Sequence, residues 1–348
     1  MRLLHLVWGL ETGGVETMLV NIINEQVKTD QVFLVIVNKH ISEELIKKID
    51  QKCIIKKINR KPKTRSYLKI IWLNMLLLCF RPNIIHVHSY RLSKLILGKW
   101  KIVRTIHNTK NNPEEYPRMS ALYAISDAVA EYTKKQGFPN VKCIYNGIMT
   151  RKFSARIKCK PQNNFYKIVQ ISRLYIRQKG QDILIHALCL LKQRGFDKFH
   201  LYLIGVGKDE QKLQRLIKEK GLNEYVSFEG LKSQDYIYNH LCDYDLFVQP
   251  SRYEGFGITV AEAMAAKVPV LVSNIEGPME IIGQGKYGMH FKSEEINDLA
   301  EKLEFILQGG YDYSLIDKAY QHICDNYDVK QTAQRYIQEY KKVIEKVR

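Results

Sequence analysis

The chain has 348 residues, more than one hydrophobic core usually organises, and 45% of them are hydrophobic, so two ordinary globular domains are expected. Its net charge of +18 lies wholly in residues 1–160, which hold 29 Lys and Arg against 11 Asp and Glu, whereas residues 161–348 balance at 25 each. The seven cysteines lack the paired spacing of a metal site and the even count of a disulfide framework, and no cleavable signal precedes the first strand, so a reducing cytoplasm is the expected setting.

Short β-rich runs alternate with longer helical patterns throughout, the signature of parallel sheets covered by helices. In the first half, strands are predicted at Arg2 to Val7, Val32 to Val37, Ile54 to Lys57, Ile84 to His88, Lys101 to Ile106, Ala121 to Ile125 and Lys142 to Tyr145. The apolar stretch Tyr67 to Phe80, interrupted by Lys69 and Asn74, is too short to span a bilayer and reads as a helix. Ten basic residues between Lys47 and Lys69 face a single acid, Asp50. This cluster suits either an anionic membrane surface or a merely solvated face. Nucleic acid is a weaker third option, since only Tyr67 and Trp72 accompany it and no recognition motif is present.

The polar segment Thr150 to Asn164 reads as an interdomain linker. Beyond it, strands are predicted at Lys167 to Ile171, His200 to Ile204, Val226 to Phe228, Leu246 to Val248 and Val270 to Val272. The expected architecture is therefore α/β, with Rossmann-like domains over residues 1–155 and 156–325 facing a cleft, and a C-terminal helix over 326–348 returning to the first domain. In such sheets ligands bind beyond the carboxyl ends of the strands.

The segment from Pro250 to Met264 sets Glu254 and Glu262 eight residues apart around Gly255 and Gly257, between a strand and a helix. Glycines there admit close approach of a ligand, and the free N–H groups of Ile258 and Thr259 at the helix start favour an anion. The two carboxylates reach different parts of one extended ligand; a cap and a solvated helix residue are the bland alternative. At the first βα turn, Gly13 and Gly14 offer backbone N–H groups to a phosphate but lack the three-glycine dinucleotide spacing. Ser172, Arg173, Lys179 and Gly180 place two cations beyond another strand, suited to a diphosphate. Gly205-Val206-Gly207 follows a further strand. Asp243-Tyr244-Asp245 has a metal-diphosphate spacing but immediately precedes a buried strand, and reads as a turn.

In order and spacing these motifs, with His86-Val87-His88, Thr105-Ile106-His107-Asn108 and Asn146-Gly147, resemble the retaining, nucleotide-sugar-dependent glycosyltransferases of family 4 (glycosyltransferase group 1), which have the GT-B fold. The resemblance implies that Arg173 and Lys179 hold the donor diphosphate with help from Gly13, Gly14, Ile258 and Thr259. Glu262 would bind the ribose, while Glu254, Gly255, Phe256 and Gly257 contact the donor sugar. Ser172, Gly205 and Gly207 complete the donor side. His88, His107 and Asn108 belong to the acceptor side, with His107 beside the donor sugar. His107, Glu254, Arg173 and Lys179 would form the catalytic group, without a protein nucleophile, cofactor or metal.

The implied reaction is hexosyl transfer from a UDP- or GDP-sugar to a glycan or polyprenyl-linked glycan, in surface polysaccharide synthesis at the cytoplasmic membrane face. A nucleotide-sugar 2-epimerase or glycogen-type polymerising enzyme of the same fold is the alternative, and a basic nucleic-acid-binding protein the second.

Overall fold

The computed structural model describes every residue except Thr12, 62–65, 109–117, 158–160, 162–164 and 346–348, and gives Tyr90 as backbone only. Lys63 and Arg65 of the basic cluster, and much of the expected linker, lie outside the described residues. Two compact units form: Met1–Ile148 with Tyr327–Arg348, and Met149–Asn326.

The first unit holds β1 (Arg2–Val7), β2 (Gln31–Asn38), β3 (Ile54–Arg60), β4 (Ile84–Val87), β5 (Ile102–Ile106), β6 (Ala121–Ala124) and β7 (Lys142–Cys143). They run parallel in the order β3-β2-β1-β4-β5-β6-β7. Near-continuous apolar runs such as Val32–Val37 are buried on both sheet faces, as parallel strands under helices require. The second unit holds β8 (Tyr166–Ile171), β9 (Phe199–Ile204), β10 (Val226–Gly230), β11 (Leu246–Gln249), β12 (Val270–Ser273) and β13 (Met289–Phe291), in the parallel order β10-β9-β8-β11-β12-β13. Its core packs Leu184, Leu188 and Leu191 of the Gln181–Gln193 helix with Phe199, Leu201 and Leu203 of β9. Strand order reverses between β1 and β4, and again between β8 and β11. Each reversal opens a crevice beyond the strand ends.

The chain leaves the first unit beside its point of return. Ile148 N–H donates to the Tyr327 carbonyl at 2.8 Å, and Val329 N–H donates back to Ile148 at 2.9 Å. Asn146-Gly147 owes its glycine to this crossing, because a Cβ there would sit 2.4 Å from Val329 Cα. The Val329–Glu345 helix buries Val329, Ala333, Tyr336, Tyr340 and Val343 at helical spacing. Tyr336 Oη meets Thr105 Oγ1 at 2.8 Å, and Tyr340 Oη meets His86 Nδ1 at 2.6 Å.

Thr150–Lys152 forms a 3-10 turn within the segment read as a linker, and β13 is a strand absent from the sequence reading. The Met-His-Phe of β13 has no β-branched run to mark it, and it pairs only as an edge strand with β12.

Candidate active site

In the second unit the crevice between β8 and β11 gathers the expected cations and carboxylates. Beyond β8, Ser172 and Arg173 lead into the short Ile176–Lys179 helix, which Gly180 ends at φ +64°. A Cβ on Gly180 would lie 1.9 Å from the Pro250 carbonyl oxygen, so glycine lets this turn touch the loop leaving β11. Lys179 Nζ pairs there with Glu254 Oε2. Gln249, buried at the end of β11, donates to the same carboxylate oxygen at 3.3 Å and accepts from Thr259 Oγ1 at 2.8 Å. Arg173 is exposed, and its guanidinium bonds to none of the described residues.

Gly257, at φ +99°, caps the Ile258–Ala265 helix. The N–H groups opening a helix have no carbonyl of their own turn to bond. The Phe256 side chain is buried, so only its backbone can face a ligand. Arg252 anchors the loop, with Nη1 and Nη2 on the two oxygens of Asp182 at 2.9 and 2.7 Å and Nε on Glu294 at 2.8 Å. About one turn into the helix, Glu262 is buried and accepts one hydrogen bond, from Gln234 Nε2 at 2.8 Å. Burial pushes its carboxyl up from 4.5 to about 7, against the pull of Gln234. Gln234 opens the Gln234–His240 helix just beyond β10, so Glu262 faces the β10 end of the crevice.

Gly205 and Gly207 serve the backbone. A Cβ would come within 2.1 Å of the Ser172 carbonyl oxygen at Gly205 and 2.2 Å of Leu174's at Gly207. They shape the Ser172–Leu174 turn. Gln181 Nε2 braces the same turn, donating to Ser172 Oγ at 3.0 Å and to the Arg173 carbonyl at 2.9 Å. Asp245, in contrast, is buried against Arg156 and accepts from the Lys167 amide at 2.7 Å, while Asp243 bonds His240.

In the first unit, Gly13 precedes the Gly14–Gln26 helix in extended conformation. A cavity of about 300 Å³ lies beyond β1, β2 and β4, walled by Trp8, Val15, Leu19, His40, His88 and Leu92. His88 also belongs to a row of imidazoles. His107 Nε2 lies 3.4 Å from His88 Nδ1, His88 Nε2 lies 3.4 Å from His5 Nδ1, and His5 Nε2 lies 2.7 Å from Gln26 Oε1. Burial lowers the pKa of every ring, of His5 to about 4. With Gln26 Oε1 accepting from His5 Nε2, His88 Nε2 donates to His5 Nδ1 and His107 Nε2 to His88 Nδ1, which leaves His107 Nδ1 an unprotonated acceptor. His5, His86 and His88 lie close enough to be considered as metal ligands. Both nitrogens of His86 are, however, bonded to Tyr340 and Thr105, and its ring stacks on that of His88 at 4.4 Å. Asn108 follows His107 at the surface.

Sequence reasoning missed Gln234, Gln249, Gln181, His5 and Gln26. The only signal of His5 and Gln249 was a single polar residue within, or ending, an apolar strand.

Two family models match successive parts of the chain, Glycosyltransferase Family 4 over residues 12–152 and Glycosyl transferases group 1 over residues 152–322. A putative colanic acid biosynthesis glycosyltransferase of Escherichia coli is 28% identical over 205 residues, 57% of this chain and 50% of that protein. A poly(ribitol-phosphate) alpha-N-acetylglucosaminyltransferase of Staphylococcus aureus is 31% identical over 175 residues, 49% of this chain and 34% of its own length. The chain spans about half the length of the first relatives it matches. Among solved structures, HepE of Anabaena in complex with UDP-glucose superposes with a TM-score of 0.82 at 19% identity, covering 98% of this chain and 100% of that one. The fold is the GT-B arrangement of two Rossmann-like domains.

Proposed function

This chain belongs to family 4 of the glycosyltransferases, and from that premise we propose that it transfers a hexosyl group from a nucleotide-sugar donor to a glycan or lipid-linked glycan acceptor. The observation that carries the reading is the convergence of Lys179, Glu254 and the Ile258–Ala265 helix start on one strand-order reversal, with Glu262 farther along the same helix. UDP-sugars are favoured over GDP-sugars, in keeping with the Anabaena protein that holds UDP-glucose.

In this scheme the donor diphosphate lies over the helix start between Arg173 and Lys179. Without donor, Lys179 is neutralised by Glu254. The diphosphate competes for the ammonium and frees Glu254 for hydroxyls of the sugar, while Gln249 keeps the carboxylate in place. Glu262 accepts from the ribose hydroxyls. As the sugar–phosphate bond breaks, negative charge grows on the diphosphate, where two cations and the helix terminus stabilise it. The sugar takes on oxocarbenium character and is attacked from the face the phosphate leaves, with retention and no protein nucleophile. No metal enters the scheme, since Asp245 is spent on Arg156. The acceptor occupies the cavity walled by Trp8 and His88, and the basic first unit docks on an anionic membrane surface.

A panel of UDP- and GDP-sugars, read by thermal stabilisation and nucleoside diphosphate release, tests the proposal. Donor-alone product analysis separates transfer from epimerisation. No stabilisation and no turnover with any donor would sink it.

A further inference from the structure

The Tyr67–Phe80 helix is apolar on both sides. Leu73 and Leu77 are buried in one cluster with Phe33 and Ile58. On the opposite side Tyr67, Leu68, Ile71, Trp72, Met75 and Leu78 are all exposed, Leu68 by 79% and Leu78 by 65%. At about 100° per residue these six share an arc of roughly 140° that carries no charge. Solvent-facing helix surfaces are ordinarily polar, and a contiguous exposed apolar patch marks an interaction site. The patch continues onto Leu97, 60% exposed, whose N–H donates to Asn74 Oδ1 of the helix at 2.7 Å.

Charge selects the occupant. Residues 51–113 contain 15 Lys and Arg and no Asp or Glu. Lys61 precedes the helix, Lys69 stands on it and Arg81 caps it, while Lys94 and Lys99 bracket Leu97. An apolar strip rimmed by cations complements a surface that is apolar inside and anionic at its edge, which is a bilayer containing acidic lipids. A second copy of this chain would instead bring like-charged rims, Lys61, Lys69, Arg81, Lys94 and Lys99 of each copy, together. The helix has 14 residues, about 21 Å at 1.5 Å per residue, against a hydrocarbon core of about 30 Å. Among the described residues no helix is long and apolar enough to cross a membrane.

We propose that the Tyr67–Phe80 helix lies in the plane of an anionic bilayer, with Leu68, Ile71, Met75 and Leu78 at the acyl boundary and Lys69 and Arg81 at the lipid phosphates. This inference rests on the membrane-docking part of the proposed function and adds insertion to it.

The test is flotation of the full chain with phosphatidylcholine vesicles, with and without phosphatidylglycerol, at low and high salt, together with tryptophan quenching by lipids brominated on the acyl chain. The expected result is binding to anionic vesicles with quenching that Trp72→Phe removes, and at least about tenfold weaker binding of the doubly substituted Leu68→Ser, Leu78→Ser chain. Both leucines are exposed, so this variant should melt as the wild type does. Salt-sensitive binding with no quenching and no loss in the serine variant would overturn insertion and leave docking standing. No binding to any vesicle would overturn both. Self-association that the serine variant abolishes, without vesicle binding, would assign the face to a second copy. Donor turnover in vesicle-free solution tests glycosyl transfer independently of all three.

Discussion

Glu262→Gln should stabilise the ligand-free chain and impair it as a donor binder. The carboxyl is buried with one neutral donor, and its pKa is raised from 4.5 to about 7. A raised carboxyl pKa means that, between those values, the folded chain binds more protons than the unfolded one, so stability falls as pH rises through this window and is lowest above it. A shift of about 2.5 units at about 1.4 kcal/mol each gives a burial cost near 3 kcal/mol at pH 8. Glutamine keeps a partner for Gln234 without the charge, so the variant should melt roughly 5–10 °C higher at pH 8, the difference shrinking toward pH 4.5. The same substitution should weaken nucleotide-sugar binding about tenfold or more, because a charge-assisted acceptor is lost. In the wild type, ribose hydroxyls that donate to the carboxylate lower its pKa, so donor binding near pH 7 releases protons and weakens as pH falls below 7. Calorimetric melting at pH 8 and pH 5, with titration calorimetry in two buffers, measures all three effects. A variant that neither melts higher at pH 8 nor loses donor affinity would refute the assignment of Glu262 as a functional carboxylate held at a cost in stability.

Other expectations follow from the same geometry. Lys179→Ala should weaken donor binding by about ten- to a hundredfold, whereas Glu254→Ala should mainly lower turnover, which steady-state kinetics separates as a change in KM or kcat. Gly180→Ala forces a Cβ toward the Pro250 carbonyl at positive φ and should cost at least about 1–3 kcal/mol in denaturant unfolding, with loss of donor affinity. His5 is buried and neutral with its pKa lowered to about 4, so its contribution is complete above pH 6.5 and declines as pH falls toward 4. Urea midpoints should therefore drop across that range, and less so in a His5→Gln chain; parallel profiles would contradict this.

The strand pattern was legible because parallel strands buried on both faces read as apolar runs, as Arg2–Val7 and Val270–Ser273 do. Glu254 and Glu262 stood out because glycines surrounded them. Their supports did not, because Gln249 and Gln234 act only once β11, β10 and the Ile258–Ala265 helix are packed. The roles of Gly205 and Gly207 were equally hidden, since what demands glycine there is the backbone of Ser172–Leu174, more than 30 residues earlier. Pairs such as His86 with Tyr340, 254 residues apart, leave no local trace at all. Electrostatics was legible only in part: the basic excess showed in composition, but the exposure of the apolar arc from Tyr67 to Leu78 required knowing which face of the helix the sheet covers.

The central claim, that the crevice between β8 and β11 binds a nucleotide sugar through Lys179, is tested most directly by titration calorimetry of wild type and Lys179→Ala with UDP-sugars and GDP-sugars. The account predicts binding of at least one donor by the wild type and an affinity lower by about ten- to a hundredfold in the variant. Equal affinity in the two proteins, or no binding of any nucleotide sugar by the wild type, would contradict it.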